Sequence, residues 1–513
     1  MDPRLTSPET WLEQAQQRLL GGDAVGARIL LDQAVAAHPG STALRFALAG
    51  LRRHAGDRVA ADALLEDVLA HEPGHLAAAL QLARSLREQG RVLAAGTLLR
   101  NCFAHVPGDV ESRLVAIELL DDAGRQEDAL FLCEQAFAVQ LDDLRLHVHA
   151  AALAAQLGRF DQARVHYETV LARSPQAADW HVPLGLSSLQ RYGTTDHPDF
   201  ERFRHWLDRD ELAPYARSGL LFALGKAFDD VGETARAAGL LREANAIVHG
   251  QVRWQRKTWR RSVEMRLGRG TLPDPGHVPA EWTPVFIVGM PRAGSTLLAE
   301  QLARHPQVRH RGELPWLPVL ATRIGAAGST AATIGAMHDA ARTYAEQLVQ
   351  DDDPVGWYVD KQPHNFLHVD LILALFPHAR IIHCRREARD NALSLWMQSF
   401  HPGTQDFAYD FGDIATVMRD ARRLMEHWQS RFPESVQVVD YESLVADPDA
   451  CIGALAHWLG LPEAAVEEST EAVTPALSTA SLWQARQPVY RSSVERWRRY
   501  APHLPELERL RLD

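Results

Sequence analysis

The sequence predicts two folds in one chain, an all-α solenoid of helical repeats followed by an α/β domain with a central parallel sheet. Three observations carry that prediction. Gly22, Gly56, Gly90, Gly124 and Gly158 recur at intervals of 34 residues. A stiff, proline-rich stretch follows at Thr271-Leu-Pro-Asp-Pro-Gly-His-Val-Pro. Beyond it the apolar run Val285-Phe-Ile-Val leads straight into a glycine loop and then into the helical pattern Ser295-Thr-Leu-Leu, a P-loop-like order of strand, turn and helix. With 513 residues, 46% of them hydrophobic and 23% charged, the chain has material for two substantial cores and an ordinary soluble composition.

The repeats come first. Five residues after each glycine stands an alanine: Ala27, Ala61, Ala95, Ala129 and Ala163. Twelve after it lies Ala34, Val68, Cys102, Ala136 or Val170, and seven before it Ala15, Ala49, Ala83, Ile117 or Ala151. These slim positions are what paired helices need in order to approach closely. Seventeen after each glycine comes Pro39, Pro73, Pro107, the exception Leu141, and Pro175, closing the second helix of each unit because proline cannot continue it. The period is that of the tetratricopeptide repeat. A degenerate unit returns at residues 224–228, with Gly232 and Ala237 in the same relative places. A solenoid of this kind has no catalytic chemistry of its own. Its concave surface suits an extended peptide or protein partner, and the plainer role is structural or oligomerising.

Between the halves, Arg253, Arg256, Lys257, Arg260, Arg261, Arg266 and Arg269 form a basic stretch. It suits an acidic peptide, an anionic lipid surface or a solvated helix face, the last being the simplest. The expected organisation is a repeat domain over 8–250, a basic helix and proline-rich linker over 251–282, and the α/β domain over 283–513.

In the loop Gly289-Met-Pro-Arg292-Ala293-Gly294, two glycines let the backbone turn with its N–H groups inward, and the helix opening at Ser295 presents its positive dipole end to the same anion. A Walker A loop would place lysine where Ser295 stands, so no side chain is set there to reach a γ-phosphate. The cation is Arg292, inside the loop. The segment Pro291-Arg292-Ala293-Gly294-Ser295-Thr296-Leu297 resembles the 5′-phosphosulfate loop of sulfotransferases that use 3′-phosphoadenosine 5′-phosphosulfate (PAPS), and its arginine is most similar to the tyrosylprotein sulfotransferases. Downstream, Phe376-Pro-His-Ala-Arg-Ile-Ile-His-Cys384 reads as a turn and an apolar strand, followed by Arg386 and, eight residues later, Ser394. This resembles the family's 3′-phosphate motif. A span of eight residues places Arg386 at the strand end and Ser394 on the helix, both reaching one phosphate.

The resemblance covers roughly residues 283 to 500 and implies further roles. Glu313, in Arg311-Gly312-Glu313-Leu314, matches the family's catalytic glutamate and would be the general base, since a phenol with a pKa near 10 must lose its proton as the new bond forms. Lys361, in Val359-Asp360-Lys361-Gln362-Pro363, matches the lysine that steadies the leaving phosphate, and with Arg292 it supplies positive charge. Ser481 matches a catalytic serine. Arg496, just before Trp497 where the family usually has lysine, would cover the 3′-phosphate. Tyr441 matches a tyrosine near the nucleotide. Catalysis is thus expected from Glu313, Arg292, Lys361 and Ser481, and nucleotide binding from Arg292 to Leu297 with Arg386, Ser394, Tyr441 and Arg496.

Other classes are disfavoured. The balance of 54 basic to 66 acidic residues gives a net charge of −12, which argues against nucleic acid as partner. Serine at the Walker lysine position and the lack of a Walker B aspartate argue against a kinase or NTPase. Neither the 24 histidines nor Cys102, Cys133, Cys384 and Cys451 show metal spacing. No run reaches 18 apolar residues and the start has no signal core, so a cytoplasmic protein without a membrane segment is expected, with free thiols in a reducing compartment. That compartment departs from the tyrosylprotein enzymes, which are membrane-anchored. The expected activity is therefore PAPS-dependent transfer of a sulfuryl group to a hydroxyl, foremost a protein or peptide tyrosine presented by the repeats. The alternatives are a small phenol, alcohol or carbohydrate acceptor, or a catalytically silent repeat scaffold.

Overall fold

A computed structural model describes residues 6–106, 109–209, 212–276, 281–462, 492–510 and 512. The chain divides into two compact units, Met1–His149 with Gln350–Asp352, and Ala150–Val349 with Asp353–Asp513.

The first unit is a run of helix pairs: α1 (Pro8–Leu20) with α2 (Ala24–Ala37), α3 (Thr42–His54) with α4 (Arg58–His71), α5 (Leu76–Glu88) with α6 (Val92–His105), and α7 (Val110–Asp122) with α8 (Gln126–Ala138). The alternation continues along the chain through α9 (Leu144–Gln156), within which the second unit begins, and α10 (Phe160–Arg173), which belongs to that second unit. Each repeat glycine lies in the turn inside a pair with a left-handed backbone, φ running from +72° at Gly90 to +83° at Gly56, a conformation that a side chain would strain. The five alanines that follow them are all at most 1% exposed, so the period seen in the sequence is the spacing of helix crossings. Helices start on Ser7, Asp23, Ser41, Asp57 and Asp109, whose side chains accept from N–H groups of the first turn. Helix α6 has no such cap of its own. The Asp351 carboxylate, within the same unit, accepts from the N–H groups of Leu93 and Ala94 at 2.8 Å.

After α10 the second unit continues with α11 (Val182–Ser188), α12 (Pro198–Leu207), α13 (Pro214–Asp230), α14 (Thr234–His249) and α15 (Arg256–Leu267). The α13–α14 pair is the degenerate repeat: Gly232 has φ +82° and Ala237 is fully buried. Helix α15 carries most of the basic stretch, with Arg253 and Arg269 flanking it, and part of that charge is engaged internally. Arg256 pairs with Asp410 at 2.9 Å and with Asp413, Arg266 donates to the Leu367 carbonyl at 2.8 Å, and Arg269 donates to Asp370 at 3.3 Å. Lys257, Arg260 and Arg261 remain exposed.

Five parallel strands follow: β1 (Thr283–Gly289), β2 (Val308–His310), β3 (Trp357–Asp360), β4 (Arg380–Arg385) and β5 (Val436–Asp440), in the order β2-β3-β1-β4-β5. Parallel pairing demands crossovers. These are built from α16 (Ser295–Leu302), α17 (Trp316–Gly325), α18 (Thr330–Val349), α19 (Val369–Leu375), α20 (Ala388–Trp396) and α21 (Phe411–Arg431). After β5 come α22 (Tyr441–Ala446) and α23 (Pro448–Leu459), then α24 (Trp497–Tyr500) and α25 (Pro505–Arg509). Central β1 is covered on both faces, with Val285, Phe286, Ile287 and Val288 all at 0% exposure, which explains its unbroken apolar run. Among the described residues, no helix is long and apolar enough to cross a membrane.

The repeat crossings give a stability prediction. Ala129→Leu, at a fully buried crossing, should destabilise the first unit by about 1–3 kcal/mol through overpacking. Val59→Ala, at a site 84% exposed, should stay within about 0.5 kcal/mol. Comparing thermal melting of the two variants checks this.

Candidate functional site

Because all five strands run the same way, their carboxyl ends share one edge, where open α/β sheets bind ligands. Read across the sheet, β2 leads to Glu313, β3 to Lys361, β1 to the loop of residues 289–294, β4 to Arg386, and β5 to Tyr441. One strand order thus gathers segments scattered over more than a hundred residues of sequence.

The loop is held in a tight left-handed course. Gly289 has φ +143°, Arg292 +68° and Gly294 +96°. A Cβ on Gly289 would lie 2.3 Å from the Cys384 carbonyl oxygen, and one on Gly294 would lie 2.4 Å from the Tyr441 ring, so both positions require glycine on two counts. Asn391 Nδ2 donates to the Pro291 carbonyl at 2.9 Å and Cys384 Sγ to the Ala293 carbonyl at 3.1 Å, anchoring the loop to α20 and β4. Gly294 is the N-cap of α16 and offers no side chain to it. The N–H groups of Ser295, Thr296 and Leu297 therefore open the helix without a carbonyl one turn back, a natural place for an anion.

Beside the loop stands Arg386, one residue past β4, with Ser394 on α20 as the spacing predicts. Arg386 Nη1 donates to the Arg292 carbonyl at 3.1 Å and Nη2 to the Ser493 carbonyl at 2.7 Å, while the guanidinium lies 4.6 Å over the Tyr441 ring. Its Nε is buried and donates to no partner among the described residues. A buried guanidinium N–H left over in this way is what an incoming anion would satisfy. Arg292 Nε donates to Ser394 Oγ at 3.2 Å, so the loop's cation joins the two motifs. Neighbouring Arg385 is different. It forms a two-bond ion pair with Asp440 at 2.6 and 2.9 Å, with both partners well exposed.

On the other side of the loop, Lys361 Nζ donates to Glu313 Oε1. The lysine side chain is 4% exposed and the glutamate side chain 37%, so the cation is buried and the carboxylate faces outward. Asp360, immediately before Lys361, is fully buried. Its carboxylate accepts from Tyr344 Oη, from Asn365 Nδ2 at 2.7 Å and from the Leu314 N–H at 3.2 Å, tying the end of β3 to the residue after Glu313. Burial raises the Asp360 carboxyl to about 7 against the pull of those hydrogen bonds. His310, at the end of β2, is held neutral, its pKa lowered to about 3 by burial and by nearby Lys361 and Arg311.

Glu313, Lys361, Arg292 to Leu297, Arg386, Ser394 and Tyr441 all lie at the one edge. Ser481 lies outside the described residues. Arg496 belongs to a segment that crosses Arg386, but its own side chain pairs with Asp229 of α13. Sequence reasoning passed over Asn391, Asp390, Ser493 and Asp360. Asp360 and the Asp390-Asn391 pair were flagged only by sitting inside motifs already singled out.

Residues 284–465, within the α/β half, match the model of the Sulfotransferase family. An uncharacterized protein of Aquifex aeolicus (strain VF5) is 30% identical over 370 residues, covering 68% of this chain and 47% of the relative. Protein-tyrosine sulfotransferase 1 of Danio rerio is 26% identical over 191 residues, covering 35% of this chain and 53% of the relative. The chain spans about half the length of these curated relatives. Among solved structures, the sulfotransferase domain of the Synechococcus PCC 7002 olefin synthase aligns over 47% of this chain and 98% of its own, with 19% identity and a TM-score of 0.34.

The buried acid makes a pH prediction. Its folded pKa of about 7 exceeds the value near 3.9 of a free aspartate. The contribution is therefore complete below about pH 4 and is lost as pH rises through about 7. Asp360→Asn should accordingly show a smaller fall in urea midpoint between pH 4 and 7 than the parent protein. Parallel curves would assign the titration elsewhere.

Proposed function

We propose that this domain is a PAPS-dependent sulfotransferase acting on an acceptor hydroxyl, foremost a protein or peptide tyrosine. The observation that carries the reading is the pairing of two anion-binding devices at one sheet edge, the left-handed loop with the α16 N-terminus and, beside it, Arg386 with its spare buried N–H. A nucleotide bearing phosphates on both the 3′ and 5′ oxygens has anions to match both.

When bound, PAPS supplies the sulfuryl group and departs as adenosine 3′,5′-bisphosphate. The N–H groups of Ser295, Thr296 and Leu297, with Ala293, Gly294 and Arg292, hold the 5′ side, and Arg386 and Ser394 hold the 3′-phosphate. Tyr441, against both Gly294 and Arg386, joins the two halves of the site. Glu313 takes the proton of the acceptor hydroxyl, and its exposed position suits a group that meets an incoming substrate. Lys361, in contact with that base, provides fixed positive charge where negative charge grows on the leaving oxygen. Ser481 is assigned to the same centre by resemblance alone.

Tyrosine as acceptor is supported by the similarity to the Danio rerio enzyme, and a protein acceptor by the helical repeats, whose architecture suits peptide capture. We assign residues 8–250 to the repeat domain, 251–282 to a linking basic helix and 283–513 to the transferase. A cytoplasmic setting agrees with the four cysteines, all free thiols.

Glu313→Gln should lower turnover of a tyrosine peptide by about 10²- to 10⁴-fold with bisphosphate binding retained; unaltered turnover would take Glu313 out of the reaction. In calorimetric titration, adenosine 3′,5′-bisphosphate should bind far more tightly than ATP, with or without magnesium. Arg386→Ala should cost roughly 2–5 kcal/mol of that affinity. A parent protein that binds nucleotide equally with and without a 3′-phosphate, or an Arg386→Ala variant that keeps the parent's preference for the 3′-phosphate, would overturn the assignment.

A further inference from the structure

Residues 492–500 cross the nucleotide side of the sheet edge as a short strap. Ser493 is its contact with the site: its carbonyl accepts from Arg386 Nη2 at 2.7 Å, and its hydroxyl lies 2.6 Å from Tyr441 Oη. Two N–H groups further along, those of Glu495 and Trp497, donate to the Asp390 carboxylate at 2.6 and 2.8 Å. The Trp497 ring is covered by the Arg389 guanidinium at 3.8 Å. The far end is fixed from a different direction. Asp229, on the last turn of α13 in the degenerate repeat, accepts from Arg496 with one oxygen and from Tyr500 Oη at 2.6 Å with the other. Arg496 and Asp229 side chains are only 18% and 15% exposed. Burial raises the Asp229 pKa, but the charge of Arg496 and the hydrogen bonds from Arg496 and Tyr500 outweigh it and leave the carboxyl below its usual value.

We propose that Asp229 is a positioning residue of the nucleotide site, the buckle that keeps the strap closed over Arg386 and Tyr441. The inference rests on the nucleotide reading above. It gives the helical part of the chain a share in nucleotide binding, separate from any role in presenting an acceptor. It also changes the role of Arg496: the guanidinium meets Asp229, and the strap contacts the site through Ser493. A ligand whose 3′-phosphate sits at Arg386 is retained while the strap is closed, so loosening the buckle acts on escape more than on entry. If the closed fraction falls to about a tenth, the apparent dissociation constant rises about tenfold.

The test is stopped-flow binding of adenosine 3′,5′-bisphosphate to the full chain, comparing the parent with Asp229→Asn and Tyr500→Phe. The milder Tyr500→Phe keeps the ion pair and decides the matter if Asp229→Asn does not fold. The expected result is a dissociation rate raised about tenfold or more in Asp229→Asn and less in Tyr500→Phe, with association rates near the parent's. Dissociation unchanged in the folded variants overturns the proposal. So does tighter binding by Asp229→Asn, which would make Arg496 a phosphate ligand that Asp229 holds back. A fall in association rate together with melting temperature would reduce Asp229 to a general structural role and likewise overturn it. Failure of the parent to bind bisphosphate would instead remove the nucleotide reading itself.

Discussion

The close approach of β1 to β4 at Gly289 is the constraint on which the site depends. The two strands stay paired to their ends, Gly289 opposite Cys384, because Gly289 has no Cβ to collide with the Cys384 carbonyl. Past that point one strand runs into the glycine loop of residues 289–294 and the other into Arg386. Neighbouring strands lie about 4.8 Å apart, so a guanidinium leaving β4 reaches the loop carbonyl of Arg292 without any intervening element. The bonds from Cys384 Sγ and Asn391 to loop carbonyls follow from the same proximity. A bulkier residue at 289 would part the strands and separate the loop from Arg386.

Charge on this edge is sorted by geometry. Arg385 and Arg386 are adjacent and chemically identical, yet one is closed off with Asp440 at the surface and the other points inward across Tyr441. The alternation of a strand end explains the difference, since successive side chains leave on opposite sides. The same logic separates Asp360 from Lys361. One is directed into the core, where Tyr344 and Asn365 satisfy it, and the other toward Glu313. A chain with net charge −12 thereby keeps a concentrated cationic edge.

Much of this was legible in the sequence, for a definite reason. The repeat glycines and alanines answer to local steric demands, a left-handed turn and a helix crossing, which recur at fixed spacing and admit few residue types. The loop glycines and the interval from Arg386 to Ser394 are likewise constraints over short stretches of backbone. What escaped were the partners chosen by tertiary packing. Asp229 and Arg496 are separated by 267 residues, and nothing in either neighbourhood names the other. Arg496 was expected at the 3′-phosphate only because the resemblance places a basic residue before tryptophan there, and a resemblance of sequence cannot say which way a long side chain turns. Asp360 escaped because an acid beside a lysine reads as surface charge until its burial is known.

Arg292 holds φ at +68° without being glycine, a conformation that costs an ordinary residue about 1–2 kcal/mol. The fold has absorbed that cost, since the Pro291 and Ala293 carbonyls on either side are both bonded to groups outside the loop. For the anion proposed above, the N–H groups would then already be aimed, with little loop backbone left to reorganise on binding. In that reading the cost of capture would fall on encounter and desolvation rather than on ordering the loop.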